Sequence, residues 1–323
     1  MSLPPADVDI TDELVALLLA SQHPDLEQLP RARAATGWDN VVYRLGDDFA
    51  MRLPRRLSAV ELLRHEVEHL PALAPNLPLP VPAVVRTGHP GYGYPYEWAI
   101  VPWYPGTSAA LAAPAERDGY AVELAVFLAA MHVEAPDDAP SSIFRGTDLA
   151  LRQAAVGHRL AEFGAGLFAP AASEGFAPGT VDVLRSVVAD GVSAATHTGP
   201  PRWLHGDPHP HNVVFGPDGR LAAVVDFGDL TSGDPAGDLG MVWLHFTPAG
   251  RAAFQEAYDD GASVPPGTAE ALWRRARGWA VHYGLIAIMH DPAEPLHEVG
   301  RHALATLLEE GLSPSVGVRV RMN

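Results

Sequence analysis

The sequence predicts an α+β chain in which a small β-rich lobe precedes a larger, mainly helical one. Three observations carry this. Residues 31 to 54 read as three strands, separated by turns at Gly37-Trp38-Asp39-Asn40 and Gly46-Asp47-Asp48. A proline-spaced connector (Pro78, Pro80, Pro82) then leads to further strand-like stretches. From Ala110 onward the apolar spacing is mostly helical. The change of character near Tyr104–Thr107 divides the chain into lobes of residues 1–103 and 104–323.

The elements follow in order. An apolar helical stretch, Ile10 to Ala20, precedes the three strands. Ser58 to Leu70 reads as a helix: Ser58 with Glu61 makes a capping box, Val60, Leu63, Val67 and Leu70 share one face, and Pro71 and Pro75 end it. Strands are expected at Ala83–Thr87 and Tyr96–Trp103. Helices are expected at Tyr120–His132, Asp148–Phe163 and Thr180–His197, with two or three more after Ala249. Within this helical part, Leu221–Phe227 reads as a strand entered through the turn Gly216-Pro217-Asp218-Gly219.

Composition narrows the chemistry. The 323 residues carry 22 basic and 39 acidic side chains, a formal charge of −17, which argues against nucleic acid as a partner. Cysteine is absent, excluding disulfides, thiolate nucleophiles and Cys-ligated metal. All 22 basic residues are arginine. Without lysine there is no Walker A loop, no Schiff base and no Ser-x-x-Lys nucleophile. The opening MSLPPADVDI lacks the basic and apolar regions of a signal peptide, and no apolar run approaches membrane-span length. The expectation is a soluble cytoplasmic protein without a membrane partner, for which a monomer is plausible.

The most informative stretch is Trp203 to Leu239. Asp207 and Asn212 lie in His-x-Asp-x-x-x-x-Asn, and Asp226 opens Asp-Phe-Gly after an intervening turn. That turn brings Asn212 and Asp226 to the open ends of one hairpin, where a carboxylate and an amide oxygen form a hard-oxygen set suited to Mg²⁺ shared with substrate phosphates. Asp207, held nearby, could take a hydroxyl proton. This is the arrangement of phosphoryl transfer in protein kinases.

The chain resembles the aminoglycoside phosphotransferase family of the protein-kinase-like superfamily, which also holds macrolide, choline, homoserine and fructosamine kinases. Leu-His-Gly-Asp at 204–207 and Gly-Asp-Pro-Ala-Gly-Asp at 233–238 carry the resemblance, which extends from about Asp25 to the C-terminal helices. It implies a two-lobed kinase-like fold, with ATP or GTP as phosphoryl donor. It also implies Asp207 as catalytic aspartate, Asn212 and Asp226 as magnesium ligands, and His205 as a residue that orders the loop. Asp234 and Asp238 would brace the loop. Roles for Asp229, His209 and His211 stay open.

The small lobe adds a phosphate clamp. Phe49-Ala50-Met51-Arg52 sits where kinases have V-A-I-K. Alternation puts Ala50, beside the base, and Arg52, beside the phosphates, on one face. Arginine replaces the usual lysine, keeping the charge and adding a fork; macrolide kinases have a similar Arg-x-Pro-Arg-Arg stretch. Glu66 is the expected partner of Arg52. It lies inside His65-Glu66-Val67-Glu68-His69, which mimics a zinc-peptidase motif, but both histidines are expected on the solvated face of their helix. The turn ending at Asn40 would cover the phosphates. The inter-lobe segment 100–106 would hold the adenine through the Pro102 carbonyl and the Tyr104 N–H.

These expectations converge on a Mg²⁺-dependent O-phosphotransferase using ATP or GTP and acting on a small-molecule hydroxyl, with an aminoglycoside-like or other antibiotic first. The alternatives are a kinase of choline, homoserine or an amino sugar, or a nucleotide-binding pseudokinase. Residues 144–195 and the segment after Ala249 would line the acceptor pocket, where Asp148, Glu162, Asp259 and Asp260 face either a cation or water.

Overall fold

The computed structural model describes residues 3–167, 176–216, 218–262, 264–265 and 267–312. Helix α1 (Asp12–Gln22) begins at Thr11, whose hydroxyl accepts the Leu14 N–H at 3.2 Å. Strands β1 (Arg31–Thr36), β2 (Asn40–Leu45) and β3 (Phe49–Pro54) follow, then helix α2 (Ser58–Leu73) and strands β4 (Arg86–Gly88) and β5 (Trp98–Pro102). The five strands form one antiparallel sheet in the order β1-β2-β3-β5-β4.

The two-residue period of the strands separates the faces of this sheet. Tyr43, Met51, Leu53, Trp98 and Ile100 pack against Val15, Leu18 and Leu19 of α1. Ala50, Ala99 and Val101 lie on the other face with Leu63 of α2. Arg52 shares that second face by alternation.

Three local expectations are corrected. Helix α2 continues through Pro71 to Leu73, because in the last turn the missing N–H costs one bond, and Ala74 still donates to the Leu70 carbonyl. The capping box does not form: Ser58 is already helical, and Asp7 accepts the Leu57 N–H at 2.8 Å instead. The strand expected from Ala83 begins only at Arg86, since the Ala83 N–H turns back to the Val81 carbonyl at 2.8 Å.

The remainder is mainly helical: α3 (Pro114–Arg117), α4 (Ala121–Met131), α5 (Gln153–Gly164), α6 (Thr180–Ser193), then α7 (Ala236–Leu239), α8 (Val242–His245), α9 (Pro248–Gly261), α10 (Ala269–Ala287) and α11 (Pro295–Leu312). Helix α10 is buried over most of its length, with Trp279, Ala280, Val281 and Leu285 at the centre of the helical core. Strand β6 (Thr107–Ser108) follows the linker, and between α6 and α7 short strands β7 (Arg202–Leu204), β8 (Val213–Phe215), β9 (Leu221–Val224) and β10 (Thr231–Gly233) present the motif loops. Strands β8 and β9 form a hairpin, and β7 pairs with β10. The helix expected from Thr180 to His197 stops at Ser193, where Ala194 turns extended. The strand expected to run to Phe227 stops at Val224, because Asp226 adopts φ +63° and Phe227–Asp229 coil into a 3₁₀ turn. Pro217, in the turn read before that strand, lies outside the described residues, as do 168–175 of the expected acceptor region. Among the described residues no helix is long and apolar enough to cross a membrane.

Candidate active site

The loop from His205 to Asn212 is fixed from beneath by its own backbone and by α7. His205 is fully buried; its Nδ1 accepts the Asp207 N–H at 3.2 Å and its Nε2 donates to the Val225 carbonyl at 3.0 Å. Those two bonds define a neutral tautomer, and burial holds the ring below the usual histidine range. The ring also packs on Phe227, with centroids 4.4 Å apart. Asp238 accepts the His205 and Gly206 N–H groups at 2.8 and 2.9 Å and meets His132 at 3.1 Å. Asp234 instead pairs with Arg275 at 2.7 Å and accepts the Ala236 N–H at 3.0 Å. Asp238 therefore braces the loop from within the protein, whereas Asp234 ties the start of α7 to α10 and not to the loop. Gly206 sits at φ +87°, and a Cβ there would lie 2.2 Å from the Asp229 carbonyl.

Asn212 and Asp226 come together through the hairpin. The Val225 N–H donates to the Asn212 carbonyl at 2.9 Å, and the Asn212 Nδ2 donates to the Asp207 carbonyl at 3.0 Å. With its nitrogen so engaged, Asn212 has its Oδ1 left for a cation. Asp226 is more than half exposed, and its left-handed backbone is unusual for a residue other than glycine. One carboxylate and one amide oxygen at neighbouring positions fit a hard cation such as Mg²⁺.

Above Asp226 lies the charge clamp expected from β3 and α2. Arg52 Nη1 donates to the buried Glu66 carboxylate, and Nη2 reaches Asp226 Oδ1 at 3.2 Å. Burial pushes the Glu66 carboxyl up to about 7, against the attraction of Arg52, and its Oε1 has no polar partner. The β1–β2 turn is pinned from the end of β3: Arg55 donates to the Gly37 carbonyl at 2.8 Å and Arg56 pairs with Asp39 at 2.6 Å. Asn40 closes that turn by accepting the Gly37 N–H at 2.8 Å, and its buried Oδ1 has no polar partner. In the linker, the Trp103 N–H donates to the Asp48 carbonyl at 2.7 Å. The trans peptide points the Pro102 carbonyl away from that bond, while the Tyr104 hydroxyl donates to the Val81 carbonyl at 2.9 Å.

Residues that sequence reasoning missed complete the site. Arg145 Nη2 lies 3.1 Å from Asp207 Oδ1 and 2.9 Å from Asp229 Oδ2, and its guanidinium covers the Tyr283 ring at 5.6 Å. Burial pushes the Asp207 carboxyl up, but the Arg145 guanidinium outweighs it and leaves Asp207 below the usual carboxylate range. His209 Nε2 stands 3.4 Å from Asp207 Oδ2, whereas His211 meets the Ser108 hydroxyl at 3.1 Å. His245 of α8 accepts from the Tyr120 hydroxyl at 2.9 Å and donates to the Pro208 carbonyl at 2.8 Å. No sequence spacing links Arg145 or His245 to the motif; only the packing of separate loops and helices does. Helix α2 also departs from expectation: His69 leans on Trp203 at 5.2 Å instead of facing solvent, because α2 docks against the helical part. Of the acids named for the acceptor pocket, Asp148 accepts the Ala150 N–H at 2.9 Å and Asp259 accepts from the Trp273 indole at 2.9 Å.

The buried histidines predict an acid limit to stability. Burial holds His245 and His282 at about 3. A folded-state value below the unfolded value of about 6.5 means that the unfolded chain takes up the proton first. Their contribution is therefore complete above about pH 6.5 and is lost as the pH falls, by about 2 kcal/mol for each ring at pH 5. Glu66, raised to about 7, works in the opposite sense and offsets roughly one of the two. The melting temperature should fall between pH 7 and pH 5, and His245→Gln should flatten that fall; a profile unchanged by the substitution would show that the ring is not held neutral.

A model of the phosphotransferase enzyme family matches residues 31–279. No curated protein matches the chain. Among solved structures, the apoenzyme of a macrolide 2′-phosphotransferase from Brachybacterium faecium is 25% identical, with a TM-score of 0.56 over 92% of this chain and 98% of its own. The GDP complex of an aminoglycoside 2′-phosphotransferase is 17% identical, with a TM-score of 0.62 over 93% of this chain and 100% of its own. A ternary complex of an aminoglycoside phosphotransferase with streptomycin and ATP is 18% identical, with a TM-score of 0.54 over 92% and 97%. These likenesses span both the sheet and the helical part of the chain.

Proposed function

Since the chain belongs to the phosphotransferase enzyme family, we propose that it moves the terminal phosphoryl group of ATP or GTP onto a hydroxyl of a small molecule, with Asp207 receiving the hydroxyl proton. The observation that carries this reading is the meeting of Asp207, Asn212 and Asp226 at one hairpin beneath the Arg52–Glu66 pair. Asn212 and Asp226 would hold Mg²⁺, which when bound neutralises charge on the phosphate oxygens. Arg52 clamps the phosphates, kept in place by Glu66. The Pro102 carbonyl and the Tyr104 N–H accept from and donate to the base, with Ala50 leaving room beside it. His205 holds the Asp207 backbone, and the Asn40 turn closes over the phosphates. Arg145 keeps Asp207 ionised, as a base must be, and orients its Oδ1.

Antibiotics head the acceptor panel, because the similar solved structures are named as macrolide and aminoglycoside phosphotransferases. A second reading, a metabolite kinase, gains from Arg152 and Arg159, two arginines gathered at His282 beyond Arg145. The test is nucleotide consumption with Mg²⁺ across macrolides, aminoglycosides, amino alcohols and hydroxy acids, against a blank without acceptor. Acceptor-dependent release of ADP or GDP that disappears with EDTA is expected. Nucleotide binding with no turnover on any class would favour a pseudokinase.

A further inference from the structure

Arg152 and Arg159 stand apart from the arginines of the site. Among the described residues neither forms a hydrogen bond or an ion pair, yet Arg152 Nε and Arg159 Nη1 are buried without a polar partner. The one nearby acid, Glu162, meets His158 at 3.4 Å instead. Arg152 lies over the Phe144 ring at 5.1 Å, next in the chain to Arg145. Facing them from α10 is His282, 3% exposed, whose Nδ1 is also without a partner. Its ring responds to all three arginines: after burial, Arg159, Arg152 and Arg145 hold it down.

Buried polar atoms without partners are rare in folded proteins, and each asks for an explanation. In this chain several gather in the nucleotide cleft, at Asn40 Oδ1, Arg56 Nε and Glu66 Oε1. Arg152, Arg159 and His282 form a second group, joined to Asp207 through Arg145. Two guanidiniums brought together beside a neutral histidine, with Glu162 turned to His158 and not bonded to either, are the reverse of what a structural network does. They are what a carboxylate or phosphate needs, since guanidinium forks bind such groups with two parallel bonds.

We propose that Arg152, Arg159 and His282 form an anion-recognition site beside Arg145, which reads a carboxylate or phosphate group carried by the acceptor. The proposal rests on the phosphotransferase reading for the identity of the reacting hydroxyl, but the site itself binds anions whether or not turnover occurs. The acceptor is then a hydroxy acid or a phosphorylated alcohol.

The test uses the full chain saturated with ADP and Mg²⁺, so that the nucleotide cleft is filled. Inorganic phosphate and acetate are titrated separately, with the thermal shift and the calorimetric Kd as readouts. The two probes distinguish a phosphate reader from a carboxylate reader. At least one should bind to the wild type, and Arg152→Gln with Arg159→Gln should weaken it at least tenfold while the Kd for ADP is unchanged. Arg159→Lys, which keeps the charge without the fork, should fall between the two and serves if the double variant is unfolded. Equal affinity in wild type and variants, or no binding of either probe to the wild type, would overturn the site. Absence of ADP binding to the wild type, or acceptor turnover retained in Asp207→Asn, would count against the phosphotransferase reading alone, so the two failures are separable.

Discussion

Asp207→Asn should leave nucleotide affinity intact and lower kcat by about 10²–10⁴, the usual contribution of a general base. The substitution keeps the size of the side chain while removing its charge and its proton affinity. The loop should survive it, because the Asp207 backbone rather than its carboxylate is held by His205 and Asn212. Arg145 loses one of two carboxylates but keeps Asp229 at 2.9 Å, so the guanidinium stays paired. Steady-state kinetics and a nucleotide Kd on the same preparation separate the two effects. A kcat within a few fold of the wild type would remove Asp207 from the chemistry.

Arg52→Ala should raise the nucleotide KM and lower kcat, since a hydrogen bond to a charged phosphate is worth about 1.5–3 kcal/mol. The structure sharpens the expectation, because Arg52 also reaches Asp226 at 3.2 Å and so links the phosphate clamp to a metal-ligand candidate. Folding should tolerate the change: Glu66, already raised to about 7, can take a proton once its partner has gone. Glu66→Ala should act in the same direction but less strongly, by letting the guanidinium swing. If the pair works as a unit, the double variant should be no worse than Arg52→Ala alone. Arg52→Lys should retain most phosphate binding with a modest loss of rate, because the charge remains and the fork does not. Full activity in Arg52→Ala would pass the phosphates to another arginine, Arg44 or Arg55.

The parts of this protein legible in its sequence are those governed by short-range geometry. Strand alternation at Phe49–Leu53 assigns Ala50 and Arg52 to one face whatever surrounds them. The helical stripe of Val60, Leu63 and Leu70 turns Glu66 inward for the same reason. A hairpin between Asn212 and Asp226 brings its two ends together by local closure. Local signals failed where another segment supplied a cheaper solution. Asp7, distant in the chain, holds the helix start one residue earlier, at the Leu57 N–H, in place of the box expected from Ser58 and Glu61, and docking onto Trp203 drew His69 out of solvent.

What the sequence by itself determined was the reaction class, through residue types at fixed local spacings and through the absence of lysine and cysteine. The tertiary structure alone decided what surrounds the reacting carboxylate: Arg145 on Asp207, His245 beneath Pro208, Asp238 beneath His205, and the arginine and histidine group beyond. The reason is physical. A contact between residues far apart in the chain has no period or spacing, and it exists only once buried side chains compete for the same donors, acceptors and space.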